Sequence, residues 1–192
     1  MNNFILAGSI LAILTYFPLW WQIRKGKARQ NFLTWVLWSS LDAIAVGSII
    51  AQNGNYLLPL AYSFGSAVTV YVIVKAGIKA EWTWFETMVV TLVFASIVVW
   101  YCSGNKLATV ASTTAMAIAT FPQLRDAYKK PHEMPVLAYF SYFVANCLST
   151  AGGKNWSIEE RFYPAVASIA CFVVTVVAAR KFLQKRESMN PA

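Results

Sequence analysis

Ala119-Thr120-Phe121-Pro122-Gln123-Leu124-Arg125 closes one long apolar run, and Thr15-Tyr16-Phe17-Pro18-Leu19-Trp20-Trp21 closes an earlier one. Each is an aromatic–proline pair followed within a few residues by Lys or Arg. Proline removes a backbone donor and its ring crowds the turn before it, so each run is expected to be a helix bent at that point. Two bent helices at matching places predict one unit used twice.

Composition supports helices that lie in lipid. The chain has 192 residues, of which 58% are hydrophobic and 12% charged, with a mean hydropathy of +0.51. A soluble domain carries about a quarter charged residues, so this is expected to be a polytopic membrane protein. The net charge of +8 would suggest nucleic acid in a soluble domain. Here the basic residues sit in short loops between apolar runs, which reads as membrane topology and excludes a nucleic-acid partner. Cys102, Cys147 and Cys171 are scattered through apolar runs without a CxxC pair, and read as small apolar fillers. No basic residue precedes the first apolar run, so that run is expected to stay as a helix.

Seven spans are predicted, at about 3–23, 31–51, 56–76, 83–102, 106–128, 134–151 and 159–182. The loops after the first, third and fifth, with the tail, hold Arg24, Lys25, Lys27, Arg29, Lys75, Lys79, Arg125, Lys129, Lys130, Arg180, Lys181, Lys185 and Arg186. The opposite side holds Lys106, Lys154 and Arg161. The positive-inside rule then puts the N-terminus outside and the C-terminus in the cytoplasm, with the plasma (inner) membrane as the expected location.

Pro18 and Pro122 are 104 positions apart, and the same shift pairs Phe17 with Phe121, Trp35 with Tyr139, Trp38 with Tyr142 and Asp42 with Asn146. A shift of 105 pairs Pro59 with Pro164 and Lys75 with Arg180. The expected fold is therefore all-α, with two parallel three-helix repeats. Residues 1–78 form the first, 79–105 a linker helix, and 106–192 the second with a short tail. A linker crossing lets both units share one orientation around a common cavity.

Three helices, a linker and three helices, with Phe121-Pro122-Gln123 near the end of the fifth, resemble the PQ-loop and SWEET superfamily of transporters. Pro122-Gln123 matches the family dipeptide, whereas Leu19 follows Pro18 in the first half and Gln22 lies one turn on. The resemblance implies transport of a sugar, amino acid or vitamin-like solute. Relatives often couple protons through an aspartate whose usual place is in the second repeat, where this chain has Asn146.

Asp42 lies about 15 Å from either end of its helix at 1.5 Å per residue. A charge at that depth costs roughly 3 kcal/mol or more, so the carboxylate should face a cavity or a partner. It reads as a proton-coupling or substrate-binding acid, or as a structural acid bonded to hydroxyls. Asn146, its counterpart, offers donors and an acceptor to a polar solute, or else a helix–helix hydrogen bond. Trp38 and Tyr142 sit one turn away on the same faces and suit pocket lining or interface anchoring equally; Trp35 and Tyr139 read as interface anchors. Tyr62 and Ser66 are further candidates for the site. Thr109, Ser112, Thr113 and Thr120, with Ser9, Thr15 and Ser63, read as close-packing positions. Glu86 falls in the first turn of the fourth helix, where the helix dipole favours an acid.

Enzyme signatures are sparse. The single histidine, His132, falls in a loop, no Gly-x-Ser-x-Gly or phosphate loop occurs, and no acid pair falls within the apolar length of a span. No metal and no cofactor is implied. The expectation is a non-enzymatic transporter of small polar solutes working by alternating access, with Pro18, Pro122 and Gln123 as hinges and a homo-oligomer left open. The alternative is a seven-helix receptor or sensor that binds a ligand in the same cavity.

Overall fold

A computed structural model of the chain describes residues 2–28, 30–78, 82 and 84–189, except for the side chains of 85, 86, 181 and 183–189. Arg29, Lys79, linker positions 80, 81 and 83, and the side chains of Glu86, Lys181, Lys185 and Arg186 thus lie outside the described residues. The helices are α1 (Asn3–Arg24), α2 (Phe32–Ile50), α3 (Leu57–Lys75), α4 (Trp84–Ser103), α5 (Asn105–Ala119), α6 (Phe121–Lys129), α7 (Val136–Gly152) and α8 (Tyr163–Met189). No strand occurs among the described residues.

Local chemistry sets the boundaries. The Asn2 side chain accepts from the Phe4 N–H at 2.9 Å, and Asn31 accepts from the Leu33 and Thr34 N–H groups at 2.9 and 3.2 Å, satisfying first-turn donors. The turn after α2 places Asn53 at φ +56°, a conformation asparagine tolerates well. A single-turn π-helix at Ile158–Phe162 leads into α8.

The outside is apolar, and the largely apolar inside also holds polar side chains. Leu6, Ile10, Leu14, Phe17 and Trp21 form an exposed stripe at helical spacing along α1, and Ile169, Phe172, Val173 and Val176 form another on α8. Asp42, Asn146, Ser112, Thr113 and Ser149 are buried. Water would favour the reverse. Four stretches are long and apolar enough to cross a membrane: Asn3–Arg24, Phe32–Ile50, Leu57–Lys75 and Ile158–Arg180. Thr87–Ser103 and Val136–Gly152 are shorter apolar helices. These elements are compatible with a multi-pass membrane protein.

The two proline helices differ, which corrects the expectation of two similar bends. α1 runs unbroken with Pro18 inside it. The helix expected at 106–128 is instead two, α5 and α6, parted at Thr120. The Thr120 N–H has shifted to the Ala117 carbonyl at 3.2 Å, a tighter turn than the α-helical one, and its hydroxyl donates to the Met116 carbonyl at 3.1 Å.

α1 and α2 both pack on α3, while α5, α6 and α7 pack on α8. Across the molecule α1 lies along α7 and α2 along α5, with α4 outside α5 and α2. Small residues allow these approaches: a Cβ at Gly8 would meet the Ala145 carbonyl oxygen at 2.6 Å. At one end the α2–α3 turn is tied to the α7–α8 loop. The Asn55 N–H donates to the Glu159 carbonyl at 3.0 Å, and its side-chain Nδ2 donates to Ser149 Oγ at 3.0 Å.

Candidate functional site

Where α1, α2, α3, α5, α7 and α8 meet there is a cavity of about 70 Å³. Asp42, Asn146, Trp38, Tyr142, Tyr62 and Ser66 all line it, so the six expected binding residues come together. Pro18 and Gln123 do not line it, and neither does Pro122; the wall there is Thr120. Gln123 is buried, its Nε2 directed to Met134 Sδ at 3.6 Å. The cavity has room for a few waters and is smaller than the roughly 300–1,000 Å³ of a typical ligand pocket.

Asp42 is 3% exposed, and its Oδ1 accepts from the Tyr163 hydroxyl at 2.7 Å. Asn146 is fully buried; its Nδ2 donates to the Tyr62 hydroxyl at 2.7 Å and to the Tyr142 carbonyl at 2.8 Å. Tyr62 in turn donates to that Tyr142 carbonyl at 3.3 Å. Tyr16 donates to the Tyr62 carbonyl at 3.3 Å, with Ser66 Oγ at 3.4 Å. Gly65 makes room for the Tyr16 ring, because a Cβ there would run into ring carbons. The rings of Tyr16 and Tyr62 contact that of Tyr142 with centroids 5.3 and 5.5 Å apart, stiffening one wall.

Among the described residues, three buried polar atoms of this wall have no hydrogen-bond partner: Asn146 Oδ1, the Tyr142 hydroxyl and Trp38 Nε1. They offer one acceptor and two donors in an otherwise apolar setting, and such groups are costly unless something bonds to them. The charge inventory is one-sided. Among the described residues Asp42 is the carboxylate, and no Lys, Arg or His lines the cavity.

Several placements depart from the sequence reading. Trp35 and Tyr139, expected as interface anchors, are 2% and 5% exposed and line the cavity. Trp35 Nε1 donates inward to Gln30 Oε1 at 3.1 Å. Cys171, read as a filler, lies on the cavity wall beside Asn146 Nδ2. Tyr163, Tyr16 and Met116 were missed. Tyr163 has Leu58 at its shifted position, so the repeat gives no polar echo of it. The hydroxyl stripe does serve packing, since Ser48 Oγ and Thr109 Oγ1 meet at 2.9 Å between α2 and α5.

The lining falls into pairs. Tyr16 and Thr120, Trp35 and Tyr139, Trp38 and Tyr142, and Asp42 and Asn146 are each 104 positions apart; Tyr62 and Ala167, and Ser66 and Cys171, are 105 apart.

No family model matches the chain, and no solved structure matches it. The chain is 26% identical over 164 residues to the glycerol-3-phosphate acyltransferase of Hahella chejuensis, covering 82% of this chain and 76% of that protein. This likeness to an enzyme overturns two expectations, the non-enzymatic chain and the transporter of small polar solutes. Polar side chains around a mid-helix acid in an apolar chain were read as a solute path. The same features equally describe a membrane site where a polar acceptor meets an acyl chain.

Proposed function

We propose that this protein is an integral membrane acyltransferase and that the central cavity is its acyl-transfer site. The observation that carries the reading is the likeness to the Hahella enzyme across 82% of the chain. The cavity's chemistry supports it. Asp42 uses Oδ1 to accept from Tyr163, which holds the carboxylate and leaves its other oxygen for an acceptor hydroxyl. Trp38 Nε1 and the Tyr142 hydroxyl, both without partners, are donors for a carbonyl oxygen that gains negative charge. The aromatic lining suits an acyl chain.

The donor is an activated acyl group, its carbonyl carbon joined to a leaving group. The acceptor oxygen attacks that carbon and its proton passes to Asp42. A C–O bond forms, the bond from the acyl carbon to the leaving group breaks, and the proton returns to the departing group. The cavity must widen for this, and the α5–α6 break at Thr120, on the cavity wall, gives a place for that motion.

We also infer seven spans arranged as two three-helix units with α4 between them, the basic loops in the cytoplasm and the plasma (inner) membrane as host. The matched packing, first and second helix of each unit on the third, supports this, as do the paired lining residues. The resemblance to PQ-loop and SWEET proteins is retained for helix arrangement alone.

The test is acyl transfer by purified protein in nanodiscs, supplied with long-chain acyl donors activated as the thioester and as the acyl phosphate, and a panel of hydroxyl acceptors including glycerol 3-phosphate. Ester formation that disappears with Asp42→Asn is the expected result. No ester with any acceptor, or full activity in the variant, would refute the proposal.

A further inference from the structure

A second hollow of about 400 Å³ lies at the end of the molecule where the start of α1, the α2–α3 turn and the α7–α8 loop converge. Its size is that of a ligand pocket. We propose that this vestibule binds a primary ammonium next to a phosphate, the pairing found in an aminophospholipid headgroup. The inference is independent of the acyl-transfer reading.

Two deeply buried acceptors carry it. Asn55 is 6% exposed and lines the vestibule; its Nδ2 is spent on Ser149, and its buried Oδ1 has no hydrogen-bond partner among the described residues. Glu160 is 4% exposed and lines it too, with Oε2 accepting from the Lys154 backbone N–H at 3.1 Å. Its Oε1 meets only Lys154 Nζ, at a long 3.8 Å. A neutral carbonyl oxygen and a carboxylate oxygen on two residues of one vestibule match the N–H donors of a primary ammonium. A quaternary ammonium has no donor to give them.

Lys154 supplies the complementary group. Its side chain is 74% exposed, so its ammonium can leave Glu160 and turn to a phosphate beside the bound amine. The rim is apolar: Ile50 and Tyr56 line the vestibule and are 48% and 39% exposed. An acyl tail can lie along that surface while the headgroup turns in, which favours the lipid source over a soluble one.

The experiment is native mass spectrometry of the intact protein with phosphatidylethanolamine, phosphatidylcholine and phosphatidylglycerol at equal concentration, alongside calorimetry with soluble phosphoethanolamine. Phosphatidylethanolamine should be retained about tenfold over phosphatidylcholine, the factor a charge-assisted hydrogen bond is worth. Glu160→Gln keeps an acceptor for the Lys154 N–H and should remove that preference. Lys154→Ala alters an exposed side chain and should weaken phosphatidylethanolamine without affecting the fold. Binding of phosphoethanolamine as well would show that the headgroup suffices; binding of the lipid alone would show that the tail is needed, and both support the site. Equal retention of the two zwitterionic lipids, a preference for phosphatidylglycerol, or unchanged preference in both variants would overturn it.

Discussion

Pro18 and Pro122 stand 104 positions apart, each just after a phenylalanine, yet one sits inside a continuous helix and the other begins a new one. The difference lies in their neighbours. Ahead of Pro122, Thr120 turns both its N–H and its hydroxyl back onto α5, ending that helix. Pro122 then falls in the first turn of α6, where a missing donor costs nothing. At the position equivalent to Thr120 the first half has Tyr16, whose hydroxyl reaches across to α3. α1 is also clasped between α3 and α7. Proline permits a break, and the residues before it decide whether the break happens. The halves differ likewise at their polar centres, where one has an acid bonded to a tyrosine and the other an amide.

The strongest way to break this comparison is to make the two centres alike. Asp42→Asn should lower acyl-transfer rate by about 100-fold or more, the usual worth of a general base, as read by ester formation in nanodiscs. Next comes the wall that the first half builds around Tyr16. Gly65→Ala forces a methyl into that ring and should cost about 1–3 kcal/mol of stability, seen as a lower midpoint in thermal unfolding. Asn146→Ala removes a buried donor from Tyr62 and should cost about 1–3 kcal/mol, while Tyr62 keeps its bond to the Tyr142 carbonyl. The smallest effect sharpens the comparison most. Pro18→Ala restores a helical N–H and should stabilise by about 0.5–1.5 kcal/mol, whereas Pro122→Ala should leave the midpoint unchanged.

The long apolar helices, most of their boundaries and the meeting of six candidate residues around one cavity were legible in the sequence, because composition and a fixed offset expose them. Trp35 and Tyr139 were misplaced because an aromatic near a helix end looks the same whether it faces headgroups or a cavity. Tyr163 was invisible because its link to Asp42 spans 121 positions and has no counterpart in the other half. The enzymatic likeness was illegible for a different reason. It emerges only when 164 residues are aligned with another chain at 26% identity.

The bonds that complete the interior are crossed: Asp42 and Asn55 of the first half find Tyr163 and Ser149 in the second, and Asn146 finds Tyr62 in the first. A ribosome working at 5–20 residues per second needs roughly 6–24 seconds to make the 121 residues between Asp42 and Tyr163. For that interval the early helices hold an acid with no mate, so the chain has reason to linger at the insertion machinery until its last helix arrives.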